Sequence, residues 1–263
     1  MRDSDTPIRV VGVIPAHLSS IRLPRKILLE IYGVPMIEHV RRRALMCEAL
    51  DGVYVATCDQ EIAETVDASG GEVIMTADTH MNGTSRIAEA VESVDCTHVI
   101  LLQGDEPLLL PSHVEEVVHA IKADPSWDAW NATGPVTTQA ELDRHSFVKC
   151  AVGESGRVLF CFRRSASHLQ AAEQTEYTRK ILGVIAFGKS FVQRLVAYPQ
   201  SLMERNESIE QLRILEHGYT LKSVPVSHSL PSINEPGEVD AVLEAIQSDS
   251  EQKSLLDRVL AGA

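Results

Sequence analysis

Residues 98–107 read HVILLQGDEP. The HVILL run does not alternate between apolar and polar, which is how a strand covered on both faces of a parallel sheet reads. The acids that follow it directly are costly to bury unless they are solvated or bound to a cation. Similar runs precede it at residues 9–15 (RVVGVIP), 52–57 (GVYVAT) and 72–75 (EVIM), and another strand follows at 127–133. Helical periodicity fills the gaps. Residues 35–50 place Met36, Ile37, Val40, Ala44 and Leu45 on one side. Residues 61–68 are closed by Gly70 and Gly71, residues 85–94 are helical, and residues 112–123 follow Pro111. Strand, crossover and strand at this spacing predict a parallel sheet with helices on both faces.

The second half is less regular. Residues 147–152 and 156–162 alternate like antiparallel strands joined by a turn at 154–156. Strands are expected at 180–187 and 222–226, and helices at 190–198, 209–217, 236–248 and 250–260. Proline at 236 suits a helix start. No linker interrupts the chain. The expected fold class is α/β, a mainly parallel sheet flanked by helices with a smaller antiparallel part in the second half, built as one unit over residues 1–263.

The chain has 263 residues, 44% of them hydrophobic and 23% charged, the balance of an ordinary globular protein. No apolar run approaches the roughly 18 residues a membrane span needs. The opening MRDSDTPIRV has early acids and no apolar core, so no secretory signal is expected. Five cysteines (Cys47, Cys58, Cys96, Cys150, Cys161) are scattered without a C-x-x-C pair, which predicts reduced thiols and a cytoplasmic protein. With 37 acids against 24 bases the net charge is −13. That balance lacks the basic footprint of a duplex nucleic-acid binder. An anionic ligand must then meet a local cluster of cations.

One such cluster follows the first strand, in IPAHLSSIRLPRKIL at 14–28. Ser19, Ser20, Arg22, Arg25 and Lys26 sit in a loop past the carboxyl end of a strand, where doubly wound sheets bind ligands. Three cations, two hydroxyls and free backbone N–H groups suit a polyphosphate. A second cluster is QGDEP itself, where Asp105 can give one carboxylate to Mg²⁺ while phosphate oxygens complete the octahedron. A third is HMNGTSRIAE at 80–89. Asn82 and Gly83 make a turn and Thr84 is read as the helix cap. Arg86 in the first turn opposes the helix dipole, a hint that it faces an anion or a base. The run Arg41–Arg42–Arg43 reads as a solvated helix face. The ten histidines form no metal pattern. P-loop, G-x-G-x-x-G and G-x-S-x-G motifs are absent.

The order IPA-x-x-x-S-x-RLP-x-K, G-T-x-R, QGDEP after a strand and EQLRIL at 210–215 resembles the CMP-Kdo synthetases. These are 3-deoxy-manno-octulosonate (Kdo) cytidylyltransferases of the Rossmann-like nucleotide-diphospho-sugar transferase fold. The likeness runs from about Val10 to Glu244. It implies transfer of CMP from CTP to an acidic sugar with release of pyrophosphate, Mg²⁺ as cofactor, a role in lipopolysaccharide biosynthesis, and a homodimer. It implies a nucleotide-binding half at 8–145 and an acceptor-binding and dimerisation half at 146–245. By the same resemblance Arg22 and Lys26 hold the triphosphate, Asn82, Gly83 and Arg86 surround the cytosine, Gln103 contacts the base, and Asp105 ligates Mg²⁺. Arg163, Glu210 and Gln211 surround the acceptor.

The departures are informative. The family has PAR where this chain has Pro15-Ala16-His17, and LPGK where it has Leu23-Pro24-Arg25-Lys26. Arg25 is therefore expected to replace the lost charge. An aspartate expected late in the chain, the second metal ligand, is Asn234 here, with Glu235 beside it. The acceptor strand has lost a histidine and a tyrosine in Ile181-Leu182-Gly183-Val184-Ile185, and Arg164 and Lys180 add charge. A rebuilt acceptor half keeps open an acceptor other than Kdo: a related sugar acid, or a small phosphonate such as phosphonoformate. A uridylyl-, thymidylyl- or glycosyltransferase of the same fold, and a nucleotide-binding homologue without catalysis, are the rival readings.

Overall fold

A computed structural model describes residues 7–20 and 22–262; the reading of residues 1–6 as free of a secretory signal lies outside the described residues. The strands are β1 (Val10–Ala16), β2 (Glu30–Ile31), β3 (Val34–Pro35), β4 (Gly52–Thr57), β5 (Glu72–Met75), β6 (His98–Leu102), β7 (Ala129–Pro135), β8 (Lys149–Val152), β9 (Val158–Phe162), β10 (Thr178–Gly188) and β11 (Leu221–Pro225). The helices are α1 (Met36–Leu45), α2 (Gln60–Ala68), α3 (Gly83–Ala90), α4 (Pro111–Ala123), α5 (Gln139–Asp143), α6 (Ala171–Gln174), α7 (Lys189–Ala197), α8 (Leu202–Glu207), α9 (Gln211–Glu216), α10 (Val239–Ser248) and α11 (Ser250–Leu260).

Among the described residues one sheet runs in the order β11-β7-β10-β6-β1-β4-β5, with β8 on β10 and β9 on β8. β1 pairs in parallel with β4 and β6, β4 with β5, and β7 with β11. Alternation along β1 divides the core. Val10 and Ile14 pack on one face with Val40, Ile62 and Val117. Val11 and Val13 pack on the other with Ile87, Phe187 and Leu212. The expected mainly parallel α/β architecture is present.

The crossover from β6 through α4 to β7 skips one position. β10 fills it, antiparallel to both neighbours. A strand from the second half thus sits in the middle of the sheet, and β8 and β9 extend the antiparallel part from it.

Several local expectations differ. α1 stops at Leu45, which is 48% exposed, and Cys47 takes the buried position beyond the helix end. Arg41 and Arg43 are buried, not a solvated face. Fully buried Glu38 accepts from Arg41 Nε and Nη2, both at 2.7 Å, and from Arg42 Nε at 2.9 Å. Charges at i, i+3 and i+4 lie on one stripe, so one carboxylate serves two guanidinium groups. The helix expected at 236–248 begins as a 3₁₀ turn, Pro236–Glu238, before α10. α11 is a separate helix, because Asp249 Oδ1 caps it by accepting from Glu251 N at 2.7 Å and Gln252 N at 3.2 Å. Among the described residues no helix is long and apolar enough to cross a membrane.

Candidate active site

β1 ends at Ala16 and the chain turns into the cationic loop. Leu18 N donates to Asp59 Oδ2 at 2.8 Å, which pins the loop to the end of β4. Arg25 then adopts a left-handed conformation, φ +62°. The next residue, Lys26, starts a 3₁₀ turn and points its Nζ to Asp105 Oδ2 at 2.5 Å and to Ile233 O at 3.4 Å. Arg22 Nη2 donates to Asn234 Oδ1 at 3.1 Å, and its Nη1 lies 3.7 Å from Glu235 Oε1. Arg25 pairs with Glu61 on α2 at an exposed position.

Beside this pair is the shelf expected to hold the base. Asn82, not Thr84, caps α3, its Oδ1 accepting from Ser85 N at 2.9 Å. Gly83 packs on the β1 end: a Cβ there would lie 2.9 Å from Pro15 Cγ. Arg86 is buried and turned inward. Its Nη1 donates to Thr76 Oγ1 at 2.6 Å and Ala77 O at 3.3 Å, holding the chain after β5. His17 Nδ1 lies 3.0 Å from Ser19 Oγ. Burial first, and then the Arg86 charge, lower its pKa, while Asp59 and Asp105 oppose. His17 therefore supplies less positive charge than the family's arginine.

A cleft of about 770 Å³ opens at the strand ends and is lined by Arg22, Gln103, Asp105 and Asn234 at one side. At the other are Arg163, Lys180, Glu210 and Gln211. Lys180 Nζ sits 3.7 Å over the Phe147 ring, and burial lowers its pKa. Arg163 gives its donors to three carbonyls, those of Glu207 (3.0 Å), His145 (3.1 Å) and Ser208 (3.0 Å). It thus builds the wall. Glu210 Oε2 accepts from Thr84 Oγ1 at 3.3 Å, while its Oε1 has no hydrogen-bond partner among the described residues. Burial raises the Glu210 pKa. Gln211 Nε2 donates to Asn131 Oδ1 at 3.0 Å. Arg25, Arg86 and Arg164 do not line the cleft, and Arg164 is exposed. Ala16, His17, Ser20, Asn82 and Gly83 are not among its lining residues, and Ala16 is buried; Lys26 is not among them either and meets the cleft through its pair with Asp105.

Glu106 also lines the cleft and was not singled out by its sequence position. Its Oε1 accepts from Gly183 N at 3.1 Å. Burial, and then the Asp105 charge, push its pKa up to about 7. The pairing works because β10 shifts register between Ile181 and Ile185 against β7. Asn131 Nδ2 fills the gap, donating to Leu182 O at 2.8 Å and Val184 O at 3.2 Å. Bulges next to sites re-aim groups in this way. A Cβ on residue 183 would lie 2.3 Å from Glu106 Oε1 and 2.6 Å from Gln103 Cγ, so only glycine fits. QGDEP signalled the acids, but which one is sequestered depends on the distant bulge.

The oxygen donors Asp105, Asn234, Glu235 and Glu238 line one side of the cleft. Among the described residues no three His, Cys, Asp or Glu side chains converge as a metal cage. Such a set fits a hard ion that takes one or two protein oxygens and completes its shell from phosphate and water. Asn234 meets Arg22 through the oxygen a metal would need.

Cations and one carboxylate at the strand ends of a Rossmann-like sheet define a nucleotidyltransferase, and the cytidylyltransferase family model matches residues 11–223. The chain belongs to the CMP-Kdo synthetase-like family of cytidylyltransferases. It is 34% identical over 234 residues to the 3-deoxy-manno-octulosonate cytidylyltransferase of Escherichia coli, covering 89% of this chain and 94% of that one. It is also 34% identical over 236 residues to the 8-amino-3,8-dideoxy-manno-octulosonate cytidylyltransferase of Shewanella woodyi, covering 88% and 96%. A solved CMP:2-keto-3-deoxy-manno-octonic acid synthetase complexed with CTP superposes with a TM-score of 0.85 at 34% identity, covering 91% and 99%.

Proposed function

We propose that this cytidylyltransferase moves CMP from CTP to Kdo or its 8-amino analogue, with Mg²⁺. The observation that carries this reading is the single cleft joining the Lys26–Asp105 pair to Lys180, Glu210 and Gln211. A hydroxyl oxygen of the acceptor bonds to the α-phosphorus as the bond to the bridging oxygen of pyrophosphate breaks. The hydroxyl proton passes to solvent. No protein nucleophile is required. Lys26, fixed by Asp105, and Arg22, fixed by Asn234, present charge where it develops on the phosphates, so little reorganisation is needed in the transition state. Asp105 would hold Mg²⁺ together with the nucleotide. The chemistry that a bound Mg²⁺ supplies is neutralisation of phosphate charge and orientation of the leaving group.

A hydroxylated sugar acid suits the acceptor end better than a small phosphonate. Arg164 lies outside it; Arg163, with three of its five donors on carbonyls, and Lys180 are the cations lining this end among the described residues. Burial raises the pKa of both Glu106 and Glu210, so near neutral pH these groups gain neutral character and serve as hydrogen-bonding partners for hydroxyls. The unpartnered Glu210 Oε1 offers an acceptor to a hydroxyl or ammonium group. Competition in one tube tests this: with CTP and Mg²⁺, Kdo or 8-amino-Kdo is consumed and phosphonoformate is left. Consumption of phosphonoformate alone refutes the sugar-acid reading.

A further inference from the structure

Two buried polar side chains outside the cleft hold the backbone that follows QGDEP. Gln252, on α11, is 0% exposed and donates Nε2 to Leu108 O at 3.2 Å. Arg43, on α1, is 0% exposed and donates Nη1 to Leu109 O at 3.3 Å. Leu108 and Leu109 line the cleft, and Leu109 N donates back to Glu106 O at 3.0 Å. Two successive carbonyls of the turn that follows QGDEP are therefore held by side chains of α11 and α1, neither of which lines the cleft. α11 is itself fastened: Asp249 caps its start, and Arg42 Nη1 donates to Val259 O near its end at 2.7 Å. It lies beyond the residues matched by the family model.

Placing an amide and a guanidinium in a core is expensive. Burial lowers the Arg43 pKa to about 10. Gln252 Oε1 and Arg43 Nε and Nη2 are buried without a hydrogen-bond partner among the described residues, so the pair is a costly core filling; what it supplies is a fixed partner for each of two buried backbone carbonyls of the turn.

We propose that Gln252 and Arg43 are positioning residues for cytidylyl transfer: through the carbonyls of Leu108 and Leu109 they fix the turn that places Asp105 and Glu106, so α11 is part of the active-site support. The proposal rests on transfer from CTP as the activity, and one arm of its test does not need the acceptor. Gln252→Met keeps the side chain's length and removes the donor. It is expected to lower kcat about tenfold while leaving the KM for CTP within about twofold, the loss of one buried hydrogen bond expressed in the transition state. Hydrogen exchange across residues 103–110 is expected to rise by a similar factor in the folded variant. Val192→Ala, a cavity on the opposite face of the sheet, is the control: it lowers the Tm and leaves both readouts at wild-type values. Wild-type exchange at 103–110 in Gln252→Met, or an equal loss of kcat in Val192→Ala, overturns the proposal. Should Gln252→Met not fold, Gln252→Asn keeps a buried amide, shortens its reach and carries the same test. If the wild type turns over no acceptor, the functional reading fails and the exchange arm still decides this one.

Discussion

Arg25 keeps a backbone conformation that suits glycine, φ +62°, at the position where the resembling family has glycine. An L-residue there costs about 1–2 kcal/mol. The exposed pair with Glu61 returns less than about 1 kcal/mol. Arg25→Gly is therefore expected to raise the Tm by about 2–4 °C and to leave pyrophosphate release within about threefold; a tenfold loss of rate would show that the guanidinium serves the triphosphate. Residue types at 14–28 marked the cationic loop; Arg22 lines the cleft from it and Lys26 pairs with the lining residue Asp105. Which way Arg25 points was not legible, because that follows from one positive φ. Arg86, whose place in the first helical turn suggested an anion, donates Nη1 to the chain after β5 while its charge acts on His17. His113 on α4 gives a pH signature. Burial, and then His228, lower its pKa to about 4. Below the ordinary histidine value of 6.5 the unfolded chain binds a proton that the fold refuses. Stability present at neutral pH is thus lost as pH falls from 6.5 toward 4. Urea midpoints at pH 7 and pH 5 are expected to differ less in His113→Gln than in the wild type.

At the scale of elements, β10 decides how the acids are arranged. Residues 181–185, ILGVI, read as an ordinary strand. The register shift between Ile181 and Ile185 depends on Asn131, some fifty residues earlier, donating to carbonyls that the shift leaves open. Local periodicity cannot report a bulge made by a partner strand. Gly183→Ala places a methyl group where Glu106 and Gln103 now stand. It is expected to lower kcat/KM about a hundredfold, the usual scale for a reacting group displaced by about an ångström, with the protein still folded by circular dichroism; wild-type turnover would mean that Glu106 and Gln103 have no fixed place in the reaction. The first-half strands were legible because parallel strands buried on both faces leave unbroken apolar runs. β7 was only partly so: its AWNATGP contains buried Asn131 and Thr133, and Thr133 Oγ1 finds Ser223 Oγ at 2.7 Å on β11.

For the whole molecule, composition and crossover spacing predicted the α/β class, since both depend on short-range pattern. They did not predict that β10 would lie between β6 and β7, a pairing that joins distant parts of the chain. That insertion sets the acceptor-side groups of β10 against the QGDEP turn at the end of β6, and it is why one cleft carries both ends of the proposed reaction. Support reaches the same turn from α1 and α11 on its outer side. The most direct test of the central claim is the initial rate of pyrophosphate release with CTP, Mg²⁺ and Kdo or 8-amino-Kdo varied in turn, in the wild type and in Lys26→Met. The account predicts release that requires CTP together with Kdo or 8-amino-Kdo and falls at least about a hundredfold without the lysine charge. Release that proceeds with UTP as well as with CTP, or that is indifferent both to Kdo and to 8-amino-Kdo, or to Lys26, would contradict it.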